Sequence, residues 1–459
     1  MTPLETLANW ASETTPANIP AVQDRCARLR LLDTLGLIAA AADHPAGRSL
    51  AAWANANSGA GASVLITGSS ASPAVAALVH GSLAHARDFD DTFAETVVHP
   101  GSTVIAATLA AAERANTNFD GITTAIVVGY EIAGRLGAVA GRGFHARGFH
   151  ATSIVGPIAA AGAAGRILGL DGSRMADALG LSTSMSSGLL AFLADGGWSK
   201  WLHTGWSAHG GIIAAEMASH AFRGPHHALD HPYGLYGAFL GAPETNLNVL
   251  KDGLGENWIG ATAQAKSFPC AHVIQPYIDA VLALREEGRL KADDVKSLHC
   301  VMAPWALPIV GVPRATKIAP RNDLEAIASL PFMVAAALCD GRVDLATLHP
   351  ETIGRADILS LATRIECEGD ETLGSGFDGR MNVELRDGRR TSRAVALSNS
   401  SEERIVAKFR ANTAHLRPDA CSKLERALLN DAPSGQAIMQ LAIAAMTGPR
   451  FRSCPTTRL

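Results

Sequence analysis

Residues 151–170, ATSIVGPIAAAGAAGRILGL, decide how most of this chain folds. Alanine and glycine dominate the stretch, which suits a helix whose neighbours approach closely in a crowded core. The same bias toward Ala, Leu and Gly runs from about residue 19 to 261, with helical periodicity at 25–41 and 102–115 and almost no strand signal. This part reads as an all-helical bundle. After Lys266 the pattern changes: 273–290 is one more helix, 295–302 alternates as a strand does, and 364–368 and 381–386 do likewise. Asp387-Gly388, between NVELR and TSRAVAL, is a hairpin turn signal. Helical periodicity returns at 421–429 and 435–446, so the end of the chain is expected to rejoin the bundle. The expected fold is mainly α: a large helical domain from 1–262 and 401–459, and a smaller α+β domain with an antiparallel sheet over 263–400.

Composition narrows the functional classes. The chain has 459 residues, 47% hydrophobic and 18% charged, enough for two domains with substantial cores. A net charge of -4 without any Lys/Arg run leaves no electrostatic footprint for nucleic acid. The apolar stretch 122–140 is interrupted by Glu131 and Arg135, so it reads as a core helix and no membrane partner is expected. The first residues, MTPLETLANWASETTP, lack the basic start and apolar core of a secretory signal. Seven cysteines (Cys26, Cys270, Cys300, Cys339, Cys367, Cys421, Cys454) show no CxxC spacing, which points to free thiols in a reducing, cytoplasmic setting.

Against that apolar background one polar stretch stands out: residues 80–100, HGSLAHARDFDDTFAETVVHP, with three aspartates and three histidines. Ser72-Pro73 is a helix start, and the helix is expected to run into Asp88, placing Asp88, Asp90 and Asp91 at its C-terminal end. The macrodipole disfavours anions there, so stability alone does not select them. On continued helical spacing Asp88 and Thr92 share a face, with His85 three residues before Asp88. His99 follows a short loop, just before the next helix near Ser102. The stretch reads either as a solvated acidic helix end or as a site where carboxylate, hydroxyl and imidazole meet.

Other polar interruptions carry paired readings. His150 precedes the Ala/Gly helix, whose N-terminus would favour the neutral imidazole and suit a base; it also fits a core or capping role. Lys200 is flanked by Trp198, Trp201 and Trp206 in a protein only 5% aromatic, so it is either desolvated among indoles or snorkelling from a Trp-rich surface. Lys266 opens AKSFPCAHVIQPYID, six residues before His272, at the expected domain junction, where clefts tend to form. Arg321 could clasp a carboxylate, though a surface salt bridge is the commoner fate. GxSxG, GxGxxG, P-loop, HExxH and EF-hand patterns are absent. The acids of DFDD could suit Mg²⁺ or Ca²⁺, but acids crowded at a helix end more often titrate or accept donors, so no metal and no cofactor is expected. Acids, histidines and lysines without a cofactor motif are the means of proton transfer beside a carboxylate.

Five motifs in order, HARDFDDT with VHP, GYEIAGRLG, GFHATSIVG, KWLHTG and KSFPC with a following Ile-Asp, together resemble the MmgE/PrpD family. That family includes 2-methylcitrate dehydratase, cis-aconitate decarboxylase and iminodisuccinate epimerase. The resemblance implies a helical domain built from both chain ends, a smaller α+β domain, a homodimer, and an active site in the cleft between domains. It carries Asp88, Thr92, His99, His150, Lys200 and Lys266 over as site residues. Three departures stand out. DFDDT and HPGST replace the DFNDT and His-Pro-Ser-Asp-Asn of methylcitrate dehydratases; Gln275 stands where relatives have a histidine, with His272 three residues earlier; and Phe332 replaces a tyrosine. The expected activity is a cofactor-independent lyase on a small di- or tricarboxylate. An epimerase or isomerase of a dicarboxylate is the runner-up, and a carboxylate-binding protein without turnover the reading from another class. His99, His150, Asp88 and His272 are the expected catalytic residues; Thr92, Lys200, Lys266 and Arg321 are expected to bind substrate.

Overall fold

The computed structural model describes residues 1–194, 196–241, 245–374, 376–398 and 400–447. The chain divides into two compact units: Met1–Ala86, Asp90–Ala265 and the described residues from Ser401 onward form the first, and Arg87–Phe89 with Lys266–Ser400 the second. Residues 263–265, expected in the smaller domain, belong to the helical unit. There Thr92 and Gln264 exchange backbone hydrogen bonds of 3.0 and 2.9 Å. Cys454 lies outside the described residues; the six described cysteines are free thiols.

The first unit is helical. Helices Pro73–His85, Gly101–Ala115, Phe119–Ala140, Ala151–Ile167 and Ser199–Ser219 surround its core, and Ser199–Ser219 packs on both Pro73–His85 and Ala151–Ile167. Small residues set that spacing: a Cβ on Gly205 would stand 2.2 Å from the Leu78 carbonyl oxygen, so the two backbones touch there. Phe119–Ala140 is long and apolar enough to cross a bilayer, but 89% of its apolar window is buried inside the protein. It is the core helix expected from its charges. Glu131 and Arg135 pair at 2.7 Å in the interior, and Arg135 also donates to the carbonyls of Val249, Asp252, Gly253 and Asn257. Glu402–Asn412, Pro418–Asn430 and Gly435–Met446 return to this unit, the last two where helical periodicity marks the sequence.

The second unit holds a four-stranded sheet in the order Ile365–Gly369, Val295–Met302, Gly379–Leu385, Arg390–Val395. The last two strands form the expected hairpin, with Gly388 at φ +87°. The sheet is mixed, however: Ile365–Gly369 runs parallel to Val295–Met302, with Cys300 opposite Cys367. The antiparallel expectation fails at that pair because the chain between them is a helical crossover, including Leu330–Asp340, and not a turn.

Candidate active site

Helix Pro73–His85 starts on its predicted Ser72 cap but stops at His85, three residues before Asp88. Asp88 takes a left-handed conformation at φ +48°, so Asp88 and Thr92 do not share a helical face. The acids are placed by their partners, not by helical spacing. In the second unit Asp88 accepts from the buried Lys266, whose Nζ lies 2.7 Å from Asp88 Oδ1 and 2.6 Å from its carbonyl oxygen. Lys266, expected to anchor substrate, already holds a carboxylate of its own chain.

In the first unit the fold gathers imidazoles. His85 lies at the end of its helix, His99 just before Gly101–Ala115, and His150 at the N-cap position of Ala151–Ile167. All three are buried, and a ring nitrogen from each falls within 4.8 Å of the others. No metal cluster was legible in the sequence, yet this spacing would admit an ion. His99 Nδ1 lies 2.9 Å from Thr92 Oγ1 and 3.1 Å from the Asp91 carbonyl oxygen, while the His99 backbone N–H donates to Thr152 Oγ1. Thr92, expected to bind substrate, therefore orients His99. Asp91 braces the same turn from below: it accepts from Gly101 N–H at 2.9 Å and from the Tyr130 hydroxyl at 2.6 Å. Arg30 stands 3.9 Å from Asp91 and 4.0 Å over the Tyr130 ring. Burial raises the Asp91 carboxyl, against Arg30 and the Tyr130 hydrogen bond, which lower it.

His150 is held well below the ordinary imidazole range, first by burial and then by the charges of His85 and Lys200. The neutral ring is the form the helix-terminus argument predicts, but desolvation is the larger cause. His203, one turn along from Lys200, places its Nδ1 3.3 Å from His150 Nδ1, and burial lowers it to about 4. Lys200 is the second residue of Ser199–Ser219 and is half-buried. The indoles around it have other partners: Trp198 stacks on Trp201, Trp201 meets His44, and Trp206 stacks on His209.

Elsewhere in the second unit, His272 is buried beside Phe377, with ring centroids 5.0 Å apart. Gln275 accepts from the backbone N–H groups of Ser267 and Phe268 and donates to the Phe268 carbonyl, so at the position of the family histidine it closes the KSFPC loop. Phe332 is fully buried in helix Leu330–Asp340. Arg321, expected to bind substrate, pairs its exposed guanidinium with Glu325 at 3.0 Å, as an i,i+4 surface bridge. The contacts of His85, Asp90, Tyr130 and His203 were not legible in the sequence. All four lie inside the motifs quoted above, but only the tertiary fold brings them together.

The chain belongs to the MmgE/PrpD family: residues 5–248 match the MmgE/PrpD N-terminal domain and 268–430 the MmgE/PrpD C-terminal domain. Among its relatives, the cis-aconitate decarboxylase of Homo sapiens is 29% identical over 366 residues, 75% of this chain and 73% of that protein. The cis-aconitate decarboxylase of Aspergillus terreus is 23% identical over 434 residues, 88% of each chain. A cis-aconitate decarboxylase-like protein of Aspergillus oryzae, oryM, is 25% identical over 420 residues, 87% of each.

Proposed function

We propose that this protein is a cofactor-independent lyase that decarboxylates a small unsaturated tricarboxylate of the cis-aconitate type. The observation that carries the reading is the buried group of His85, His99 and His150 beside Lys200, in a chain whose matched relatives are named cis-aconitate decarboxylases. In such a reaction the bond to one carboxylate breaks, carbon dioxide leaves, and the electron pair spreads onto the neighbouring unsaturated carbons until one of them takes a proton. Lys200 supplies fixed positive charge for a substrate carboxylate, in a setting where such charge acts strongly. His99 and His150 move the proton, His150 as the neutral ring that its burial favours, while lysines remain charged. Lys266, which already holds the Asp88 carboxylate, is the carboxylate-binding residue of the second unit.

The test is a panel of citrate-like acids, cis-aconitate and amino-dicarboxylates, scored for carbon dioxide release, water loss and loss of optical rotation. Carbon dioxide from the unsaturated tricarboxylate is expected. Loss of rotation alone would make the protein an epimerase, and saturable binding without product would make it a carboxylate-binding protein. In D₂O the product should carry deuterium at a carbon next to a carboxylate, far more slowly in His99→Gln and His150→Gln. Wild-type rates in both variants, with exchange abolished in Lys200→Met, would make Lys200 the proton carrier.

A further inference from the structure

The tautomers of the histidine group follow from its partners, and they single out His85. An ionised carboxylate only accepts, so His85 Nδ1, 2.9 and 2.8 Å from the two Asp90 oxygens, carries a hydrogen and donates it. A carbonyl also only accepts, so His99 Nδ1 carries a hydrogen toward Asp91. His99 Nδ1 stands 3.5 Å from Asp90 as well, so one carboxylate faces two imidazoles by the same ring edge. Among the described residues, His85 Nε2 and His150 Nε2 are buried without a hydrogen-bonding partner. Buried polar atoms seldom go unpaired, and those that do require an explanation. The rings are close enough to share a task, with His85 4.8 Å from His99 and 5.5 Å from His150, centroid to centroid.

We propose that His85, held by Asp90, is a further proton-transfer residue of this site. The His85–Asp90–His99 group carries one imidazolium and supplies the proton that replaces the departing carboxyl group, with Asp90 as the positioning residue. This rests on the lyase reading above. The step balances: the carbon–carbon bond to the leaving carboxylate breaks, its electron pair stays with the substrate carbons, an imidazolium N–H of the group gives its proton to carbon, and solvent restores that proton. Asp90 meets both rings at their Nδ1 edges, hydrogen-bonded to His85 and 3.5 Å from His99. The other ionisable groups turned toward His85 are basic. His150 faces His203 in place of a carboxylate, and Lys200 adds positive charge beside both. Asp91, behind His99, is engaged by Tyr130 and Arg30.

The experiment uses the full chain with ¹⁵N-labelled histidine, His85→Gln serving to identify the His85 signals. In Asp90→Asn the His85 and His99 rings should lose their shared proton at a pH lower by about 1–3 units, the usual effect of removing a neighbouring opposite charge. The basic limb of kcat/KM for carbon dioxide release should move down by the same amount, because the acid must be protonated to act, and Asp90→Glu should bring it back. His85→Gln should lower kcat about tenfold or more with little change in KM. That arm stands if Asp90→Asn does not fold. Unmoved titrations and an unmoved limb in Asp90→Asn would overturn the proposal, as would wild-type turnover in His85→Gln or a stoichiometric Zn²⁺ retained on the histidines. If the wild type releases carbon dioxide from no acid in the panel, the lyase reading fails, and the labelled titration still decides whether Asp90 holds the proton.

Discussion

Replacing Thr92 by valine tests whether this residue touches substrate or acts through His99. Valine keeps the shape and the backbone bridge to Gln264 but removes the 2.9 Å contact between Thr92 Oγ1 and His99 Nδ1. His99 Nδ1 retains the Asp91 carbonyl at 3.1 Å, so the ring loses one orienting partner and no buried charge is stranded. A single buried hydrogen bond of this kind contributes about 1 kcal/mol. If all of it bears on the transition state, kcat falls about fivefold. His99→Gln should cost about 10²-fold, as loss of a general acid–base group does. The double variant should then be no slower than His99→Gln alone, because Thr92 has nothing left to orient. The assay is steady-state release of carbon dioxide, with thermal melts to confirm that each variant folds. A loss confined to KM in Thr92→Val, or full additivity with His99→Gln, would refute the orienting role and return Thr92 to direct substrate binding.

Three further outcomes follow from buried groups. Arg135→Met should destabilise the helical unit by about 3–5 kcal/mol in urea titrations, because it strands a buried Glu131 and four carbonyls. His80 is lowered by burial to about 4, and its Nε2 accepts from the Leu65 N–H, a bond that a charged ring cannot keep. The unfolded chain therefore binds this proton first, and about 3 kcal/mol of stability should be lost as pH falls from 6.5 to 4; His80→Gln should flatten that part of the curve. Activity should survive exhaustive chelation, and recovery only on adding Zn²⁺, Mg²⁺ or Mn²⁺ would place an ion among His85, His99 and His150.

What was legible in the sequence follows the range of the interaction. Strand Val295–Met302 and helix Gly435–Met446 appear at the predicted residues because periodicity records which face is buried. The hairpin at Asp387-Gly388 was legible because a left-handed turn needs particular residues. Strand Ile365–Gly369 was legible too, at 364–368, but its parallel pairing was not, since pairing across a helical crossover leaves no local mark. The end of helix Pro73–His85 was misjudged for a related reason: nothing local opposes helix at Arg87, and the turn at Asp88 depends on Lys266, 178 residues away. The site residues were found as residue types, but their partners within the protein were not legible. Thr92 and Lys266 were expected to bind substrate, and in the fold one meets His99 and the other Asp88.

The DFDDT motif shows the same limit, since it looks like a single acidic cluster. Its three carboxylates serve separate sets of donors: Asp88 takes Lys266 in the second unit, Asp90 takes His85, and Asp91 takes Gly101 N–H and the Tyr130 hydroxyl. Three acids pooled on one ion would give similar phenotypes when any one is removed; three acids with separate partners should not. Asp88→Asn removes the anion that compensates a buried lysine, so it should lower the melting temperature by an amount that Lys266→Met restores in part. Asp90→Asn should leave stability nearly unchanged relative to Asp88→Asn and shift the pH profile. Asp91→Asn keeps an oxygen for Gly101 N–H but loses the charge facing Arg30, so kcat should fall, with His99 less well held, while the pH limbs stay in place. Melting curves and pH–rate profiles on the three variants decide it. The same fall in melting temperature and the same shift of limb in all three would mean that the acids act as one charge, and that their separate assignment is wrong.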